Sequence, residues 1–247
     1  MHADRLSSTE AGAPGSGGGV ARLAGRLGAA ALGLGLLLAL AAPARAQTAY
    51  LPVTSYPPIF GYNEIEKDGL GPFKKWAVVL ERYSAERNIE TDPCESGLFK
   101  RCDLQDWRKF LAGLQGKPLM DKLAEVNDYM NQHRYITDPV NWGMPDYWEI
   151  PREFLTKDGD CEDYAIAKYF SLRHLGVPAD MLRLVVLQDE NLRVPHAILV
   201  VYVNGAALVL DNQFGRVVTA DRINHYRPIY SVNENHWWLH ARPRNRG

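Results

Sequence analysis

Cys161 sits in the string Asp158-Gly159-Asp160-Cys161-Glu162-Asp163-Tyr164, one thiol among four carboxylates, just ahead of a helical pattern over residues 164–175. Neighbouring acids disfavour a thiolate, whereas a helix N-terminus favours one. Two opposed influences on one sulfur leave room for a third, such as a bound cation. The partners on offer are His196 and Asp211. Asn204-Gly205 lies between two apolar runs, which is a strong hairpin signal. With those two residues as the turn, Val203 faces Ala206, His196 falls opposite Gln213, and Asp211 is two positions along on the same face. Diagonal neighbours of this kind are roughly 7–8 Å apart at the backbone, within reach of a His–carboxylate hydrogen bond. A one-residue slip in register would put them on opposite faces. So arranged, Cys161 attacks a carbonyl as the thiolate, His196 takes and returns the proton, and Asp211 orients the imidazole. The plainer reading of the same residues is a buried free thiol, a core histidine and a strand-ending aspartate. Zinc at Cys161, His196 and a carboxylate falls short of a closed ligand set.

The elements that must position these residues divide into helices first and strands afterwards. Residues 72–87 place Phe73, Trp76, Val79, Leu80 and Tyr83 at helical spacing. A second helix carries Trp107, Phe110, Leu111 and Leu114, with Asp103 as its N-cap and Gly116 and Pro118 closing it. Residues 119–135 read as a third, and an aromatic loop follows to Trp148. The cysteine helix is stopped by Leu175-Gly176-Val177-Pro178. Residues 181–187, 195–203 and 206–211 are β-rich, so the chain reads as an α+β domain with N-terminal helices packed on an antiparallel sheet. Trp142 and Trp148 are candidates for the wall of a substrate cleft, against the plainer expectation that aromatics at this density are packing.

Residues 1–46 combine a low-complexity start, Arg22 and Arg26, an apolar run over residues 27–42, and Ala44-Arg45-Ala46. This is the pattern of a cleaved secretory signal peptide, too short and Gly-interrupted for a membrane span. Residues 47–247 then form one domain. The leader holds four Arg and two acidic residues of the chain's 28 basic and 29 acidic, leaving 24 and 27 and a formal charge of −3. No basic stretch interleaves with aromatics apart from the short Arg-rich tail, which argues against a nucleic-acid partner. No later segment is apolar enough to span a membrane. In an exported protein, Cys94 and Cys102 are expected to form a short-range disulfide, which leaves Cys161 as a free thiol.

The string Asp160-Cys161-Glu162-Asp163-Tyr164-Ala165, together with Leu175-Gly176-Val177-Pro178, Pro195-His196-Ala197 and Leu210-Asp211-Asn212, resembles the bacterial transglutaminase-like cysteine proteinases. The upstream Asn141-Trp142-Gly143 to Tyr147-Trp148 stretch is similar to the same family. The resemblance implies a papain-like, transglutaminase-like fold and a Cys161–His196–Asp211 triad. It also implies Ca²⁺ on Asp160, Glu162 and Asp163, whose hard oxygens suit that ion. The string is not an EF-hand, since Asp163 and Tyr169 stand where Gly and Glu would be needed. By the same resemblance the chain would be a periplasmic endopeptidase that cuts the N-terminal region of a large surface adhesin and promotes biofilm dispersal. Its expected partner is an inner-membrane cyclic-di-GMP receptor. Two other functions share these residues: transglutaminase or amidase chemistry through the same acyl-enzyme, and a non-catalytic, calcium-regulated binding protein.

Overall fold

The computed structural model describes residues 50, 53, 56–86 and 101–243. The expected signal peptide, Cys94 and residues 244–247 of the Arg-rich tail lie outside them. The described residues make up one compact unit. In chain order the elements are β1 (Asn63–Asp68), α1 (Lys74–Glu86), α2 (Arg101–Leu114), α3 (Leu119–Met130), α4 (Asp138–Asn141), α5 (Pro151–Lys157) and α6 (Cys161–His174). After them come β2 (Leu182–Asp189), β3 (Val194–Val203), β4 (Ala206–Leu210), β5 (Val218–Thr219), β6 (Tyr226–Val232) and β7 (His236–Ala241).

The strands form one sheet in the order β1-β7-β6-β2-β3-β4-β5, with every neighbouring pair antiparallel. The β3–β4 hairpin has the register expected from sequence, with Val203 opposite Ala206 and Leu199 opposite Leu210. Asn204 and Gly205 both take positive φ, at 49° and 77°. A two-residue turn matched to strand twist requires that backbone, which Asn and Gly adopt most readily.

Alternation along the strands splits the core in two. Leu184, Leu199, Val201, Leu208 and Leu210 join the helices on one face. Val185, Ile198, Val200, Tyr202 and Val209 belong to the other, which is closed by Ile59 and by Ala220 and Ile223. Arg183 is buried on that second side, paired with Glu64 and caged by the rings of Tyr56, Tyr202 and Trp238. Because β3 is covered on both faces, it reads as a continuous apolar run.

α6 is central. It packs on β3 and β2 and also meets α3 and α5. Residues 163–172 are all buried, so its sequence lacks the polar stripe of a surface helix. Trp107 of α2 donates its indole N–H to Ser171 Oγ of α6 at 2.9 Å, so polar groups inside this contact are satisfied.

Three sequence expectations change. Asp103 lies inside the first turn of α2 instead of capping it. There its charge still favours the helix dipole. α3 stops at Met130, five residues short of the expected end. Asn131 has its side chain committed elsewhere, and Tyr135 bridges to Gly159. The stretch read as an aromatic loop contains α4, and α5 follows it, each with proline in its first turn where a missing N–H costs nothing. Cys102 is disulfide-bonded and Cys161 is free.

Candidate active site

His196 and Asp211 meet as the hairpin arithmetic requires. His196 Nε2 lies 2.9 Å from Asp211 Oδ1, and both side chains are buried. Asp211 also accepts the Gln213 backbone N–H at 2.9 Å and the Tyr226 hydroxyl at 2.8 Å. Burial alone would raise the Asp211 carboxyl. The hydrogen bond and charge of His196, with Gln213 and Tyr226 behind them, outweigh it and hold the group below its ordinary value. Asp211 is therefore an anion with its lone pairs directed, able to fix the imidazole and to stabilise its protonated form.

α3 holds the loop that carries this aspartate. Asn131 Nδ2 donates to the carbonyl of Asp211 at 2.8 Å and to that of Phe214 at 3.1 Å, and Asn127 Nδ2 reaches Phe214 O at 3.2 Å. Residues four apart on a helix share a face, so one helix clamps both ends of the turn.

Cys161 is the first residue of α6, with Asp160 as the N-cap. The sulfur lies against the backbone N–H of Ala197, the residue after His196, which brings the thiol to the strand that carries the imidazole. Its own hydrogen bond goes to Glu162 Oε2 at 3.1 Å. Burial pushes the thiol well up, Glu162 and Asp160 push it further, and the Ala197 N–H opposes them. With only these neighbours the sulfur keeps its proton.

The acidic residues divide by role. Asp158 ends α5 with φ of 63°. Its carboxylate takes His133 Nδ1 at 3.0 Å and Arg134 Nε at 2.9 Å. Burial alone would raise Asp158, but these bonds outweigh it and lower the group, making it a strut. Asp163 is fully buried, and each of its oxygens accepts a backbone N–H, from Glu149 at 2.8 Å and from Asp160 at 3.0 Å. It crosses directly over Gly159, where a Cβ would lie 2.5 Å from Asp163 Oδ2. Only glycine fits there.

The remaining acids converge. Ligand atoms of Asp138, Asp160 and Asp163 lie within 4.8 Å of one another, as do those of Asp138, Asp146 and Glu162, and those of Asp160, Cys161 and Glu162. Oδ1 of Asp138 and Oδ1 of Asp160 are buried without any hydrogen-bond partner. An orphaned buried carboxylate oxygen is costly, and two beside one another are more so. Burial pushes Asp138 up to about 6, and burial with the charge of Glu162 pushes Asp160 up to about 8. A divalent cation satisfies both oxygens and removes the repulsion, and an all-oxygen donor set fits Ca²⁺. All three expected ligands, Asp160, Glu162 and Asp163, take part in this convergence, and Asp163 also accepts two backbone N–H groups. Asp138 and Asp146 were not singled out from sequence. Neither belongs to a periodic or Cys-centred pattern, and Asp138 joins the site only because α4 folds back over the start of α6.

Trp148 is buried in the main core, so it is packing and not a cleft wall, as its neighbours Phe154 and Leu155 suggest. Trp142 is half-buried, with Lys157 Nζ 3.4 Å above its ring and its indole N–H donated to Glu149. Trp142 is thus tied to the acidic shell through Glu149.

One more buried titratable group lies on the helix that begins with Cys161. Lys168, two turns along α6 from Cys161, is wholly enclosed and its Nζ has no hydrogen-bond partner. Burial drives it down to about 7 against the opposing charges of Asp211 and Asp128. Below pH 7 the folded chain therefore encloses a charge that the unfolded chain hydrates freely. Above the ordinary lysine value neither state carries it. Lys168→Met is expected to raise the unfolding free energy by ~2–4 kcal/mol at pH 6, with the gain vanishing towards pH 10. Urea denaturation of both proteins across that range measures the difference.

A cysteine at a helix N-terminus, a His–Asp pair on a hairpin and an α+β fold are together the arrangement of the transglutaminase-like cysteine enzymes. The sequence pattern of the bacterial transglutaminase-like cysteine proteinases matches residues 96–244, and this chain belongs to that family. A structure of Legionella pneumophila LapG superposes with a TM-score of 0.53 at 32% identity, covering 65% of this chain and 87% of that one. Calcium-bound LapG gives 0.54 at 31% identity, covering 66% and 86%. The EGTA-treated form gives 0.54 at 32%, covering 68% and 87%. No curated protein matches the chain. Among the described residues no helix is long and apolar enough to cross a membrane.

Proposed function

We propose that this cysteine proteinase is a periplasmic, calcium-dependent endopeptidase that cuts the N-terminal region of a large surface adhesin beside small residues such as an Ala-Ala pair. Release of the adhesin would promote biofilm dispersal, under the control of an inner-membrane cyclic-di-GMP receptor of the LapD type. The observation that carries the reading is the junction of two devices at one sulfur. The buried His196–Asp211 pair sits on the hairpin whose Ala197 N–H meets the sulfur, and an acidic shell with two orphaned oxygens gathers around the neighbouring Asp160 and Glu162. The similarity to LapG, which has been seen with calcium bound, supports the same assignment.

In the reaction, His196 removes the Cys161 proton and the sulfur attacks the scissile carbonyl carbon. The S–C bond forms as the carbonyl π electrons move to oxygen, and the C–N bond breaks when the intermediate collapses. His196 then gives its proton to the departing amine, leaving a thioester on Cys161. Water, deprotonated by His196, attacks that thioester and regenerates the thiol. Asp211 compensates the imidazolium at each stage. Asp138, Asp160, Glu162 and Asp163, with Asp146 at the exposed edge, would hold the calcium ion. Its charge would offset the carboxylates that, together with burial, keep the thiol protonated.

The test uses the mature chain, calcium and a recombinant N-terminal fragment of the largest adhesin encoded in the same genome. The expected result is two fragments, separated beside small residues. A fragment ligated to an added amine, with no hydrolysis, would favour transglutaminase chemistry. No covalent change, with tight binding retained, would favour the binding-protein reading.

A further inference from the structure

A cavity of about 490 Å³ opens beside the His–Asp pair, and nothing in the reaction above uses it. Phe214, Val218 and Ile223 supply its apolar lining, and Arg216, Arg222 and His225 its polar lining. No Asp or Glu lines it. Arg216 and Arg222 are exposed, and neither has a carboxylate partner among the described residues. Two unpaired guanidinium groups over an apolar floor match an acidic side chain, its carboxylate held by the charged fork and its methylenes resting on the rings and branched chains.

Both walls of the cavity hang from the Asp211 carboxylate. On one side the Gln213 backbone N–H donates to Asp211 Oδ1 at 2.9 Å, and Phe214 follows it. On the other, Tyr226, the neighbour of His225, donates to Asp211 Oδ2 at 2.8 Å. Phe214 and Tyr226 also meet, with ring centroids 6.3 Å apart. The Asn127 and Asn131 clamp from α3 fixes the Phe214 carbonyl, so this wall is held in place before any ligand arrives.

Its position fixes which part of a substrate it can meet. The group that protonates the departing amine must lie on the leaving-group side of the scissile bond. That group is His196, and the 211–216 loop is attached to it through Asp211. We infer that this pocket is a specificity site for an acidic residue on the leaving-group side of the cleaved bond, within a few residues of it. The inference rests on the proteinase reading and deepens it.

The experiment uses the full mature chain in calcium and a set of internally quenched peptides. Each contains an Ala-Ala cleavage pair, with Glu or Gln placed in turn at each of the four positions after the bond. At one or two positions the Glu peptide is expected to exceed its Gln twin in kcat/KM by about five- to tenfold, as a charge-assisted contact in a half-open site gives. In an R216E/R222E double variant the Glu-to-Gln ratio should fall below one. Since both arginines are exposed, the variant is expected to fold, and a thermal melt checks that. A ratio near one at every position in the wild type would overturn the inference while leaving the proteinase reading intact, as would a preference that survives the double variant. If the wild type cuts neither the peptides nor the adhesin fragment, the proteinase reading falls and takes the pocket assignment with it.

Discussion

A Cys161→Ala variant is expected to fold normally and to lose cleavage by about 10⁵-fold or more, because every covalent step runs through that sulfur. Folding should survive, since alanine keeps the helix start and removes a thiol that donates only to Glu162. The sharper companion is Asp211→Asn. It keeps the shape and the hydrogen bond to His196 Nε2, yet removes the anion that compensates the imidazolium, and a loss of roughly 10²–10⁴-fold is expected. Peptide hydrolysis read beside far-ultraviolet circular dichroism separates lost chemistry from lost fold. If Asp211→Asn retained full activity, Asp211 would be reduced to a strand-ending residue.

The second large effect concerns calcium. Chelation with EGTA is expected to reduce cleavage at least about a hundredfold, with recovery on adding Ca²⁺ but not Mg²⁺. Mg²⁺ dehydrates reluctantly and demands a tighter octahedral site than this spread of carboxylates provides. Two acids in the same string should then behave differently. Glu162→Gln keeps the fold and weakens calcium binding, which calorimetric titration of the metal alone reads without any enzyme assay. Asp163→Ala removes the acceptor for the N–H groups of Asp160 and Glu149, leaving buried donors unpaired. It is expected to destabilise the chain by about 2–4 kcal/mol even in chelator. Equal calcium affinities in wild type and Glu162→Gln would remove Glu162 from the ligand set.

The parts of this site that were readable in sequence are those governed by short-range rules. Asn204-Gly205 dictates a turn, the turn dictates a register, and the register brings His196 to Asp211 across fifteen residues. Asp160 caps α6 one residue before the cysteine, so its place in the site follows from chain adjacency alone. What escaped notice depends on distant chain segments. Tyr226 reaches Asp211 only because β6 pairs with β2 across the middle of the sheet, and a lone tyrosine at the start of a strand carries no signal of that. Asp138 is brought to Asp160 by α4, a single turn too short to leave a periodic pattern.

Other features have the same origin. Asp163 shares the acidic convergence with Asp138 and Asp160, and a helix turns each successive side chain by about 100°. Position 163 therefore points inward to the backbone of Asp160 and Glu149. Asn131 was assigned to the interior of α3, whereas its amide is needed by the Asp211 loop. Trp148 was offered as a cleft wall, and the fold buries it.

The central claim is that Cys161 acts as a nucleophile served by His196. Labelling of the calcium-loaded chain with an Ala-Ala peptidyl electrophile, followed by mass spectrometry of the intact protein and its peptides, tests it most directly. One adduct per chain on Cys161 is expected, with loss of adhesin cleavage in proportion to labelling, and labelling slowed at least about tenfold in His196→Ala. Continued cleavage by protein fully modified at Cys161, or a Cys161 that stays unmodified while active protein turns over substrate, would contradict it.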